Sequence, residues 1–267
     1  LDICTEGNPI QNLQYGITVS DAWLRSMKAG SKDKRKIWAK VIQRRSEFGY
    51  PYIMFKDNSN KNTPYKDIGM DITASNLCSE IQLPTDTYNS FVCCLGSINL
   101  LHWDEIIKTD AIETYVFFLN AVMDEFIKKA EVKAGLKRAY NFASKHRAIG
   151  LGVLGYHSLF QSKLIEFESL AAKQLNNHIF KHLKQVSDEA SRWLHEHRGY
   201  RSLREGYANT TLMAIAPTKS SSFIHGAVSM GIEPIKSNYF IKDLAKSKTV
   251  YKNPFLVEEL EKYGLNN

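Results

Sequence analysis

Two long stretches of helical periodicity, separated by short β-branched or glycine-bearing runs, most constrain how this chain can fold. From about Trp103 to Lys133, residues including Ile106, Ile112, Val116, Leu119, Met123 and Phe126 recur at helical spacing and give a broad apolar stripe. A second stretch runs from about Ser169 to His197 and is closed by Gly199. Between and around them lie strand candidates at Tyr52–Phe55, at 91–100 and at 210–216, the last broken by Pro217. Upstream, residues 20–48 predict two helices on either side of the polar turn Ala29-Gly30-Ser31-Lys32, with Ser20 or Asp21 as N-cap and Gly49 as the stop. Residues 56–71 are rich in Asn, Lys and Pro and read as loop. Strands alternating with long helices, without a repeat of solenoid period, argue for an α/β protein.

The chemistry is concentrated at Asn76-Leu77-Cys78-Ser79-Glu80. On an extended backbone, side chains at i, i+2 and i+4 share a face, so Asn76, Cys78 and Glu80 would converge while Leu77 and Ile81 turn into packing. An amide that hydrogen-bonds, a sulfur that acts as nucleophile or radical carrier, and a carboxylate that acts as base are three distinct tools. The bland alternative is a buried structural cysteine.

Other patterns carry less. Gly150-Leu151-Gly152-Val153-Leu154-Gly155 fits the dinucleotide-binding spacing, but Lys145-His146-Arg147 does not end an apolar strand and no acidic residue ends a second strand about 20 residues later. Close backbone approach is the better reason for its glycines. His178 and His182 are spaced i, i+4 without a third ligand, and His195-Glu196-His197 splits its imidazoles between helix faces, so no metal site is expected. Four cysteines, Cys4, Cys78, Cys93 and Cys94, give neither a disulfide scaffold nor a Cys-x-x-Cys pair, and of the adjacent Cys93 and Cys94 one is expected to be functional and the other packed. The net charge of +7 comes from dispersed Lys and Arg, densest at 32–36 and 44–45, and reads as a solvated helix face. No apolar run of membrane-spanning length and no secretory leader is evident, so a cytoplasmic protein without membrane or nucleic-acid partners is expected, and Asn209-Thr210-Thr211 carries no weight as a glycosylation signal. Pro217-Thr218-Lys219-Ser220-Ser221-Ser222, between a strand and an apolar stretch, offers hydroxyls and a helix N-terminus to an anion, or is a plain serine-rich cap.

Four blocks occur in fixed order: residues 75–84 with 91–100, then Arg147 to Gly155, then Asn209 to Ser222, then Gly231-Ile232-Glu233-Pro234. Together they resemble the class I ribonucleotide reductase large (catalytic) subunit, and the Ala216 to Ser222 variant looks most like reductases of large tailed bacteriophages. The resemblance implies part of the reductase α/β barrel, mainly its second half-barrel and the active-site finger loop. Residues 1–267 would form one partial catalytic domain, with 1–71 a helical and loop lead-in, 72–100 the finger loop and strand, and 101–267 the second half-barrel.

By the same resemblance, Cys78 would carry a thiyl radical, Glu80 would be the general base, Asn76 would hydrogen-bond the substrate and Cys93 would be one of two redox thiols. Thr218, Lys219, Ser220 and Ser221 would bind the phosphates of a ribonucleoside diphosphate. Many cellular members carry an acidic residue where Lys219 stands. The family places the second redox thiol upstream of this chain, in a motif that the segment around Cys4 does not match. The family's nucleotide-sensing domain, relay tyrosines and C-terminal cysteine pair are also absent from the sequence. Because the chain begins at Leu1, it is expected to be a piece of something longer or one chain of a split reductase, inactive alone. Implied partners are a complementing large-subunit chain, a metal-containing small subunit that generates the radical, and thioredoxin or glutaredoxin as reductant, with no cofactor on this chain. Reduction of ribonucleoside diphosphates for DNA synthesis is the expected activity, in the host cytoplasm if phage-encoded. The alternatives are a noncatalytic remnant or interaction module, and an unrelated thiol oxidoreductase, which would lack a redox motif in context. Half a barrel would expose strand edges and apolar surface, so either leading reading expects a partner or poor solubility.

Overall fold

The computed structural model describes residues 13, 15–244 and 247–265; Cys4 lies outside them. In chain order the elements are β1 (Gly16–Val19), α1 (Asp21–Lys28), α2 (Lys32–Phe48), β2 (Tyr52–Phe55), α3 (Lys56–Lys61) and β3 (Leu95–Asn99). There follow α4 (Trp103–Ile106), α5 (Ala111–Glu131), α6 (Lys137–His146), β4 (Gly150–Leu154), α7 (Tyr156–Ser162) and α8 (Leu170–Arg198). The chain continues through α9 (Ser221–Ile224), β5 (Tyr239–Leu244), β6 (Ser247–Lys252) and α10 (Pro254–Lys262). Strands β1 and β2 pair in parallel, as do β3 and β4, and β5 pairs antiparallel with β6. Parallel pairs need long crossovers, and both crossovers here carry helices, as an α/β chain requires.

Two compact units are present. The first takes in residues up to Cys93 with Met123–Ala148 and Arg201–Glu205. The Ser20 side chain caps α1 by accepting the Trp23 N–H, and Gly49 ends α2 in the left-handed region at φ 76°. Both follow from the sequence. The expected loop at 56–71 differs, because Asn60 knits it together: its amide donates to the Lys56 and Ile72 carbonyls and accepts the Ile72 N–H, which supports the short helix α3. The core of this unit buries Val41, Tyr65, Ile72 and Phe142. His146 is buried against the Tyr65 and Phe142 rings, and this burial, with the Lys145 charge adding to it, lowers its pKa to about 4. Arg147, buried and in the left-handed region, pairs with Asp124 at 2.5 Å.

The second unit comprises Cys94–Val122, Ile149–Tyr200 and the chain from Gly206 onward. Strand β4 is buried at every residue. A Cβ on Gly152 would stand 2.1 Å from the Ala214 carbonyl oxygen, and one on Gly150 would stand 2.5 Å from the Leu95 side chain. The glycine series therefore serves backbone packing. The expected strand at 210–216 is reduced to a bridge of Met213 with Leu151, supported by hydrogen bonds of Ile149 to Thr211 and of Leu151 to Leu212. Strand 91–100 is likewise shorter than expected, and the helix expected from Trp103 to Lys133 is interrupted at Thr109-Asp110, where Thr109 Oγ1 folds back to accept the Ala111 N–H. Helix α8 runs as expected, capped by Ser169 onto the Ala172 N–H and stopped by Gly199 at φ 72°. His178 and His182 use their spacing to contact the buried Trp103 edge-on, with centroids 6.2 and 5.7 Å away. Asn209 is fully buried and joined to Ser191 and Asn120, so it is a core polar bridge rather than a glycosylation acceptor.

Candidate functional site

Residues 76–81 form a tight loop rather than the extended segment that the alternation suggests. The Asn76 N–H donates to the Ile81 carbonyl at 3.1 Å, Asn76 Oδ1 accepts the Ile81 N–H at 3.0 Å, and the Ser79 N–H returns to the Asn76 carbonyl at 3.2 Å. This reversal places Ser79 at φ 69°, in the left-handed region that costs a side chain-bearing residue energy. It also corrects the expected packing of Leu77, which is 64% exposed at the loop tip, whereas Ile81 is buried as expected. An asparagine that satisfies both ends of a six-residue loop outweighs the strand preference of so short a run.

The loop nevertheless brings three groups, Asn76, Cys78 and Glu80, to bear on Cys93. Cys78 and Cys93 are both exposed free thiols and Cys94 is buried. Although Cys93 is exposed as a residue, desolvation of its sulfur is the largest influence on its thiol and raises its pKa. The Glu80 charge raises it further, a hydrogen bond from the Asn76 side chain opposes the rise, and Cys78 adds a smaller upward push. One Glu80 carboxylate oxygen and the Ser79 hydroxyl are buried without a hydrogen-bond partner. Cys94 faces the other way: its Sγ lies 3.5 Å from the Leu119 carbonyl, and burial pushes its thiol up to about 11. The two adjacent cysteines thus differ in exposure, although both precede β3 and strand alternation is not the reason.

A cavity of about 400 Å³ adjoins this loop, lined by Asn76, Ser79, Tyr52 and the β1 strand residues Gly16 to Thr18. Tyr52 is the neighbour that sequence reading missed. Its phenol is raised first by a hydrogen bond with Tyr50, then by burial, with Cys78 adding a smaller push, and the Tyr50 and Tyr52 rings meet edge-on at 5.2 Å. Within a short strand such a tyrosine reads as packing, and only the fold brings Cys78 to it.

The loop Thr218 to Ser221 lies in the other unit. Thr218 Oγ1 accepts the Gly231 N–H at 2.8 Å, and Thr218 itself takes a left-handed conformation at φ 42°. Lys219, Ser220 and Ser221 are exposed. The expected helix N-terminus is only the four-residue α9, with no side-chain cap bond, so aligned peptide dipoles add little here and the donors are hydroxyls and a cation. Among the described residues no group of three or more His, Cys, Asp or Glu side chains is gathered to hold a metal ion.

A family model described as ribonucleotide reductase, barrel domain, matches residues 11–204 and 200–267. The ribonucleoside-diphosphate reductase large subunit of Invertebrate iridescent virus 3 is 38% identical over 231 residues, covering 85% of this chain and 36% of that protein. The alpha subunit of the ribonucleoside-diphosphate reductase of Chlamydia muridarum is 29% identical over 282 residues, covering 86% of this chain and 26% of that protein. Among solved structures, the Actinobacillus ureae class Id ribonucleotide reductase alpha subunit is similar with a TM-score of 0.91 and 51% identity, over 100% of this chain and 50% of that one. The chain thus spans no more than half the length of these relatives. On the family match and these likenesses, the chain belongs to the ribonucleotide reductase barrel-domain family.

Proposed function

We propose that this chain supplies the catalytic residues of a ribonucleoside-diphosphate reductase. One observation carries the reading: Asn76, Cys78 and Glu80 all act on the Cys93 thiol, although they lie 13 to 17 residues away in sequence. In the proposed reaction a Cys78 thiyl takes the hydrogen atom from C3′ of the substrate. Glu80 accepts the 3′-hydroxyl proton, while Asn76 hydrogen-bonds the substrate. The 2′-hydroxyl leaves as water, protonated from a thiol pair that includes Cys93. The pair supplies two electrons and ends as a disulfide, and Cys78 returns its hydrogen to C3′. The net change is one diphosphate and two thiols to one deoxyribonucleoside diphosphate, one disulfide and one water. The upward shift of the Cys93 thiol supports this role, because it favours the protonated sulfur that gives its proton to the leaving hydroxyl. Thr218, Lys219, Ser220 and Ser221 would hold the diphosphate, with the Lys219 cation suited to phosphate oxygens.

We further infer that turnover requires segments found in the longer relatives, including the second redox thiol, together with a metal-containing small subunit as radical source and thioredoxin or glutaredoxin as reductant. The sequence variant at Ala216 to Ser222 supports a phage-type enzyme acting in a host cytoplasm. The test is a single turnover of CDP without external reductant, in the chain reconstituted with those segments, the family's C-terminal cysteine pair being replaced by serine. The expected result is about one dCDP per site, the stoichiometry of one thiol pair, with Cys93 recovered as a disulfide by peptide mass spectrometry. Formation of dCDP with Cys93 still alkylatable would overturn its assignment.

A further inference from the structure

In the first unit a cleft of about 420 Å³ opens beside the C-terminal end of α6. Ile68 and Met70 form part of its wall, and Asn89, Lys145 and His146 stand on its lining. Two of these side chains hold a buried polar atom that has no hydrogen-bond partner, Asn89 Oδ1 and His146 Nδ1. Lys145 is exposed, whereas Arg201, on the same lining, is already engaged in an interaction of its own.

The two stranded atoms define what would satisfy them. The Asn89 NH2 group donates to both Asp86 carboxylate oxygens, at 3.0 and 2.9 Å, which fixes the amide and leaves Oδ1 an acceptor in need of an O–H or N–H. His146 is 4% exposed, and its ring packs on Phe142 and Tyr65 with centroids 4.5 and 5.3 Å away. Burial keeps its imidazole uncharged at neutral pH, so Nδ1 is a donor or an acceptor according to the tautomer. Phenylalanine would make the same ring contacts without a stranded nitrogen, so packing alone does not account for a histidine here. A hydroxyl answers both atoms, because it donates to Asn89 Oδ1 and pairs with Nδ1 in either tautomer. A bare anion does not, since it brings no hydrogen to Asn89. The exposed Lys145 cation adds a preference for a negative group on the same ligand.

We propose that this cleft binds a small polyhydroxylated carboxylic acid of the sugar-acid type, its hydroxyls on Asn89 Oδ1 and His146 Nδ1 and its carboxylate on Lys145. None of the residues assigned to hydrogen abstraction, thiol oxidation or the substrate diphosphate lines the cleft, so failure of this site would leave the reductase reading intact.

The test is calorimetric titration of the chain with D-gluconate, compared with hexanoate, which keeps the carboxylate and lacks the hydroxyls, and with D-sorbitol, which keeps the hydroxyls and lacks the charge. Saturable one-to-one binding of gluconate is expected, with both analogues weaker. His146→Phe should weaken gluconate about 3- to 10-fold, the effect of one lost hydrogen bond. Because His146 belongs to the core, Lys145→Gln is the second variant: the residue is exposed, so the fold is spared, and the change should weaken gluconate while leaving sorbitol unaffected. Absence of saturable binding at millimolar gluconate, hexanoate binding as tightly as gluconate, or gluconate affinity unchanged in Lys145→Gln would overturn the proposal.

Discussion

At Cys93 desolvation of the sulfur, and after it the Glu80 charge, raise the pKa of the thiol, against a hydrogen bond from Asn76 that favours the thiolate. Because only the thiolate is alkylated, each influence has a measurable sign. At pH 8 Cys93 should react with iodoacetamide more slowly than an unperturbed cysteine. Glu80→Gln removes a negative charge, lowers the pKa and should speed the reaction, whereas Asn76→Ala removes thiolate stabilisation and should slow it. Peptide mass spectrometry separates Cys93 from Cys78, which is also exposed; equal rates in all three proteins would contradict the electrostatic picture. The identities of these groups were legible in the sequence, but their geometry was not. Alternation predicts a shared face only on a straight strand. The capacity of the Asn76 carboxamide to close a loop onto Ile81 became visible only once the loop existed.

Helix ends marked by serine caps and terminal glycines were readable, as at Ser20, Gly49, Ser169 and Gly199, because these signals act within a single turn. Strands were harder, since a ladder needs a partner from elsewhere in the chain: residues 210–216 have strand composition but make only one bridge, at Met213. The β5–β6 hairpin went unread altogether, and the two residues between its strands, Ala245-Lys246, carry no Asn-Gly or Gly-Gly signal. Glycine spacing, by contrast, reported close packing correctly. Gly152→Ala should therefore destabilise the fold by about 3 kcal/mol or more, because the obstructing atom is the backbone oxygen of Ala214 rather than a movable side chain. Gly135→Ala is the control, as a Cβ there meets nothing within 4 Å. A shift in urea midpoint for Gly152→Ala no larger than the control would refute the packing assignment.

At the scale of the whole chain the net charge of +7 is dispersed, and among the described residues no helix is long and apolar enough to span a bilayer. The family match covers nearly all of the chain, while the relatives extend well beyond it. Cys78 is proposed as the residue whose sulfur carries the chemistry. Its most direct test is CDP reduction by the chain reconstituted with the large-subunit segments of its relatives and a radical-generating small subunit, comparing wild type with Cys78→Ala. The account predicts dCDP formation in the wild type and complete loss in the variant, with both proteins assembling equally. Turnover that survives in Cys78→Ala, or none in the wild type despite stable assembly, would contradict it.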